Sequence, residues 1–171
     1  DDVPTVDVGR TQAQMASLTT QDADTIGAAF DTDSASFGNL FTLTQDMGAD
    51  DDGTPAALSY SLSVTAAATG LTSDGNAITV ALDGGGNIVG STAGADIFMI
   101  SVDSDTGVVT LTQYAEIDHL PEDVDGVNDN SNIGLLAGNV NLTASATIID
   151  GDNDSTTDSE TIDISSAISF D

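Results

Sequence analysis

Leu58-Ser59-Tyr60-Ser61-Leu62-Ser63-Val64 decides the fold class: every second residue is apolar, and the three between them are serines. Successive side chains of an extended strand point to opposite faces, so one face of this run is apolar and the other wet. The same pattern returns in Val140, Leu142, Ala144, Ala146 and Ile148, with Asn141, Thr143, Ser145 and Thr147 facing out. Working outward, residues 5–8, 37–44, 77–82, 97–102, 108–114 and 161–170 are further strand candidates. Turn signals separate them: Asp51-Asp52-Gly53, Asp74-Gly75-Asn76, Gly84-Gly85-Gly86-Asn87, Asp105-Thr106-Gly107 and Asp150-Gly151-Asp152. No segment carries a convincing helical period, and the pattern predicts an all-β chain folded as an antiparallel β-sandwich. Residues 120–138 hold Glu122, Asp123, Asp125 and Asp129 among Gly and Asn, and read as a long acidic loop.

Charge is the second strong signal. Of 29 acidic residues 26 are Asp, and against them stands a single Arg10 with no lysine, giving a net charge of -28. Such a chain repels itself unless the carboxylates are spread over solvent or neutralised by bound cations. Asp suits turns and supplies short-armed hard oxygen ligands, so its excess over Glu favours cation binding, Ca²⁺ above all. Disorder is excluded by composition: Leu, Ile, Val and Phe make up 41 of 171 residues, above the ~20% typical of charged disordered chains. The length suits one module spanning residues 1–171. Cysteine is absent, which rules out disulfides and thiolate zinc sites. No apolar run is long enough for a membrane span, no basic and apolar leader opens the sequence, and no basic patch exists for nucleic acid.

The densest acidic site is Asp150-Gly151-Asp152-Asn153-Asp154, followed by Asp158 and Glu160. Alternate carboxylates leaving a strand into a glycine-containing turn can converge on one hard cation. This is not an EF-hand loop, because Ser155 stands where that loop needs Gly and Thr161 where it needs a bidentate Glu. Glu116 and Asp118 form a second pair at a strand end and can join the same ion if the two strand ends are neighbours. His119 is the only histidine and reads as structural. Residues 91–98 half-match a calcium β-roll nonapeptide, but one copy builds no roll, and a Gly-rich turn is the simpler reading. Catalysis finds no support: there is no nucleophile-elbow motif, and two Tyr without Trp make a poor glycosidase cleft.

The ends suggest a cut array. Joining Ile168-Ser169-Phe170-Asp171 to Asp1-Asp2-Val3-Pro4-Thr5 head to tail makes a short acidic linker stiffened by Pro4, with residues 1–4 and 171 as its two halves.

Several phrases together resemble the tandem repeat domains of giant repeats-in-toxin surface adhesins of Gram-negative bacteria. They are the stretch from Gly90 through Ile97-Phe98-Met99-Ile100-Ser101-Val102-Asp103 to Asp118-His119, the stretch from Val140 through Asp150 to Ser155, the ending Ile164 to Asp171, and the opening Asp1-Asp2-Val3-Pro4-Thr5. The resemblance implies an Ig-like or cadherin-like sandwich that stiffens on binding Ca²⁺ and extends an adhesin from the cell surface. It also implies type I secretion, an extracellular location, neighbouring repeats of the same chain as partners, and an isolated domain that stays monomeric. Within it, Val102 to Leu111 followed by Ile117-Asp118 is similar to the cadherin strand pair that ends in a calcium motif. That similarity implies Asp118, Asp150 and Asp152 as ligands of one ion, with Leu120 in place of the motif's closing Glu and Glu116 or Glu122 as substitutes. Asp22, Asp24 or Asp31 would supply an early acidic ligand, and Asp1, Asp2 and Asp171 would hold ions at repeat junctions. The expected function is a calcium-stabilised extender repeat without catalysis. The alternatives are a glycan-binding adhesion domain acting through Ca²⁺ or through residues 120–138, and a hydrolase domain of a secreted enzyme.

Overall fold

The computed structural model describes residues 3–49, 52–119 and 132–171. Among them are fourteen strands, three short 3₁₀ turns and no α-helix. The largest sheet has six strands in the order β3 (Asp31–Ser36), β10 (Val108–Gln113), β9 (Asp96–Val102), β8 (Ile88–Ser91), β7 (Asn76–Leu82) and β6 (Ala68–Ser73), each antiparallel to its neighbours. A second sheet places β12 (Asn141–Ile149) between β13 (Ser155–Asp163) and β5 (Ser59–Ser63). β1 (Thr5–Arg10) pairs with β4 (Phe41–Asp46), from Thr5 opposite Asp46 to Arg10 opposite Phe41. β14 (Ile168–Phe170) lies between β11 (Ile133–Gly134) and β2 (Leu18–Thr20). The fold is thus all-β with antiparallel sheets arranged as a sandwich, and the β14–β2 pairing is the one parallel contact among the described strands.

The alternation places its apolar sets as the sequence dictates. Tyr60 and Leu62, Ile78 and Val80, Val109 and Leu111, and Leu142, Ala144, Ala146 and Ile148 all enter one buried cluster. Phe98 of β9 meets Phe170 of β14 with ring centroids 5.0 Å apart, joining two sheets across the core. The Phe98 ring also lies over β8 at Gly90, where a Cβ would stand 2.3 Å from ring carbons, so the pair is a glycine matched to an aromatic neighbour. Burying a side chain of this size contributes about 1.5–3 kcal/mol.

Five strands escape the sequence pattern, the two-residue β11 among them. β2 and β8 are too short to show a period, the bulged β6 has a regular register only at its ends, and β3 reads Asp-Thr-Asp-Ser-Ala-Ser with no apolar face. β3 exists because β10 offers it a full ladder, from Val108 opposite Ser36 to Gln113 opposite Asp31. Two expected strands need correction. In the 37–44 run, Gly38–Leu40 is a 3₁₀ turn that buries Phe37 and Leu40, and the strand begins at Phe41. The 161–170 run is broken by a second 3₁₀ turn, Ser165–Ala167. Asp163 accepts a hydrogen bond from Ser165 N at 3.0 Å, and Ser165 Oγ accepts one from Val140 N at 2.9 Å, which hold that turn against β12. Of the long loop expected over 120–138, residues 120–131 lie outside the described residues, and Ile133–Gly134 forms a strand against β14.

Register fixes which strand ends share an end of the fold. Tyr60 N donates to Ser104 O in the β9–β10 turn at 3.0 Å, and Ala144 stands opposite Tyr60. From that level β12 runs outward to Asp150, whereas β10 runs back across the sheet to Gln113 and on to the β6–β7 turn, where Asp118 N donates to Thr72 O. The exits of β12 and of the segment ending at Asp118 therefore point to opposite ends.

Candidate metal centre

The five residues 150–154 join β12 to β13 just beyond the Ile149–Ser155 pair. Asp150 N donates to Asp154 O at 3.0 Å and Asn153 N to Asp150 O at 3.2 Å, while Asn153 takes a positive φ of 76° to close the turn. Asp154 N donates to Asp150 Oδ1 at 2.8 Å. This wrap brings one carboxylate oxygen from each of Asp150, Asp152 and Asp154 within 4.8 Å of one another, a group that could hold a metal ion. Asp152 is exposed and Asp154 partly buried, but Asp150 is only 3% exposed and its Oδ2 has no hydrogen-bond partner.

That orphaned oxygen is the site's most informative atom. Burial, together with the Asp152 carboxyl beside it and the charge of Asp154, raises the Asp150 carboxyl above its ordinary range. Such a group takes up either a proton or a cation. The segment before β5 supplies the burial: Thr54 N donates to Ile149 O at 2.7 Å, and Gly53 lies so close that a Cβ there would be 2.0 Å from Ile149 O and 2.5 Å from Asp150 Cα. Gly53 reads in sequence only as a turn residue. Its distance of almost a hundred positions from Asp150 hides that it forms the roof of the acidic turn.

Asp118 sits elsewhere and does different work. Its carboxylate accepts from Thr72 Oγ1 at 2.7 Å, Gly75 N at 2.8 Å and Asp74 N at 3.1 Å, closing the β6–β7 turn in which Asp74 has φ 50°. The Thr72 hydroxyl and the Gly75 N–H hold its carboxyl below the usual range. Asp83 is lowered likewise by Asn87 and Gly85, and Asp103 by the N–H groups of Asp105 and Thr106. A share of the Asp excess thus serves hairpin turns as an acceptor of backbone N–H groups, without calling for a cation. Glu116 is exposed and contributes its backbone carbonyl to Ser73 Oγ at 2.6 Å. The structure does not bring Glu116 or Asp118 to the Asp150 turn.

The remaining candidates divide by location. Asp171 continues β14, donating from its N–H to Thr20 O at 2.8 Å and accepting from Asp22 N at 2.7 Å. Asp31 accepts from Gln21 N and Thr32 N, Asp24 is exposed in the 3₁₀ turn Asp22–Thr25, and His119 Nε2 lies 3.1 Å from Asp22 Oδ2. Residues 91–98 run from the end of β8 through a four-residue turn into β9, and Thr92 N closes that turn by donating to Ala95 O at 2.9 Å. Asp1, Asp2 and Glu122 lie outside the described residues. No helix among the described residues is long and apolar enough to cross a membrane.

The chain belongs to the family described as a domain of unknown function (DUF5801), whose model matches residues 12–165. Neither the curated proteins nor the solved structures contain a match.

Proposed function

We propose that this DUF5801 domain is a calcium-stabilised extender repeat of a secreted bacterial surface adhesin, with no catalysis of its own. The observation that carries the reading is the buried, unpartnered Oδ2 of Asp150 set beside the carboxylates of Asp152 and Asp154. A hard divalent cation satisfies this oxygen and cancels the repulsion among three carboxylates, and the all-oxygen donor set suits Ca²⁺. The sandwich supports a mechanical role: β12 and β13 form a long hairpin whose tip is the acidic turn, so a cation there fixes the tip at one end of the fold. The sequence resemblance described above supplies the biological setting, in which neighbouring repeats of the same chain are the partners and the cell exterior is the location. A chain carrying 29 acidic residues against one arginine is in addition well suited to remaining monomeric as an isolated domain.

Calorimetric calcium titration of the Asp152→Asn and Asp83→Asn variants tests the reading. Asp152 borders the orphaned oxygen, whereas Asp83 closes the β7–β8 turn through Gly85 and Asn87. Weaker calcium binding in the first variant alone is the expected result, and equal affinities in both would reduce the Asp150 turn to a solvated acidic hairpin.

A further inference from the structure

The chain has five Phe, two Tyr and no Trp. Phe37, Phe41, Tyr60, Phe98 and Phe170 are buried, whereas Phe30 is 54% and Tyr114 37% exposed. These two are neighbours in the fold. β3 and β10 are antiparallel with Asp31 opposite Gln113, so Phe30 and Tyr114 stand one position past the end of that ladder, on adjoining segments. Gln113 is wholly buried, and the alternation of a strand turns Tyr114 away from the core. Ile26, 68% exposed, lies in the same excursion as Phe30, whose base is closed by Gln21 N donating to Asp31 Oδ2 at 2.9 Å. Single exposed apolar residues are ordinary, but both exposed aromatics of a chain set side by side, with an isoleucine in the same loop, make a contact surface.

Carboxylates border this surface. Asp24 lies in the 3₁₀ turn that leads to Ile26, Asp96 begins β9 beside the Ile97 whose carbonyl accepts from Tyr114 N, and Glu116 follows Tyr114 by two residues. All three are exposed. Asp22, Asp31 and Asp33 in the same region are occupied by N–H groups. Among the described residues, the carboxylates of Asp24, Asp96 and Glu116 receive no such bond, so they are available to a partner.

Charge selects that partner. At a net charge of -28 the chain repels polyanions and copies of itself and draws cations. Aromatic faces attract guanidinium and ammonium groups, and free carboxylates pair with the same groups. The chain cannot satisfy this chemistry from a second copy: it has no lysine, and its one arginine is engaged by Glu160 and the Thr161 carbonyl. We propose that Phe30 and Tyr114, with Ile26 beside them and Asp24, Asp96 and Glu116 as a rim, form a docking surface for a basic segment of another protein, whose Arg or Lys side chains lie over the two rings. The surface is independent of the Asp150 turn, of calcium and of the biological role proposed above.

Fluorescence anisotropy with a labelled arginine-glycine peptide, at about 0.15 M salt, tests the proposal. The double variant Phe30→Ala/Tyr114→Ala keeps every charge of the wild type and should bind the peptide about five- to thirtyfold more weakly, because two cation–π contacts are lost. Asp96→Asn should weaken binding more than Asp105→Asn, which removes the same charge at the β9–β10 turn, the far end of β10. Circular dichroism checks that the variants fold, and Phe30→Ala alone carries the comparison if the double variant does not. Equal affinity of the ring variant and the wild type would reduce the binding to general charge attraction and overturn the proposal, as would equal effects of the two Asp changes. A neutral oligosaccharide that binds through the rings while the peptide is indifferent to them would also overturn it, by assigning the surface to sugars, and self-association abolished by the ring changes would assign it to a second copy.

Discussion

Replacing Asp150 by Asn should raise the melting temperature of the chain in chelator and lower it in calcium. Asn preserves the oxygen that accepts from Asp154 N at 2.8 Å and puts an NH₂ where the orphaned Oδ2 stands, next to the Asp152 carboxylate. Without a cation, the variant therefore trades repulsion for a hydrogen bond and no longer buries a charge. With a cation, it lacks the buried anionic ligand. A site present only in the native state stabilises by mass action, about 1.4 kcal/mol for each tenfold rise in calcium above its dissociation constant. For a domain of this size 1 kcal/mol moves the melting temperature by about 2–4 °C, so this site alone adds about 3–6 °C per decade of calcium. The variant keeps only the slope contributed by other sites, starts higher, and its curve crosses that of the wild type. Scanning calorimetry over several decades of calcium reads both curves. Parallel curves, or a variant less stable in chelator as well, would show that the Asp150 charge serves the fold and not a cation.

Gly90→Ala should cost about 1–3 kcal/mol by denaturant unfolding, because the fully buried Phe98 ring cannot move out of the 2.3 Å approach; a neutral result would mean that β8 shifts freely. Asp118→Ala should cost about 1–3 kcal/mol through loss of the acceptor for Thr72, Asp74 and Gly75, with calcium affinity at the Asp150 turn unchanged; a parallel loss of calcium would place Asp118 at the ion. Stability in chelator should depend on pH in two windows. Above about 3.9, the ordinary Asp value, Asp150 binds its proton more tightly in the folded chain than in the unfolded one, so stability falls as pH rises through its raised folded value. Below about 3.9, Asp118, Asp83 and Asp103 act with opposite sign: their lowered folded values give stability that is lost as pH falls through them. Denaturation midpoints against pH should show that Asp150→Asn flattens the upper window alone, and an unchanged upper limb would refute the assignment.

Much of the strand inventory was legible in the chain because alternation is a short-range consequence of backbone geometry. Tyr60 and Leu62, or Leu142 through Ile148, face one way whatever lies beyond them, and Asp150, Asp152 and Asp154 share a turn through local spacing alone. Where the signal is not local, the sequence is silent. β3 carries no apolar face and owes its existence to the ladder of β10, and β2 joins β14 in parallel across 150 residues of chain. The role of each carboxylate likewise depends on donors that folding brings from afar. Asp118 and Asp150 are the same residue type at the end of an apolar run, yet Thr72, Asp74 and Gly75 satisfy Asp118 from 43 to 46 positions away, while Gly53 seals Asp150 and leaves it an unpaired oxygen. Gln113 is a middle case: a polar residue in step with Val109 and Leu111 announces its burial in the sequence. That its carbonyl ends without a partner is a property of the packed end of the fold, because an unmet hydrogen bond is defined by every group around it and not by the residue that bears it.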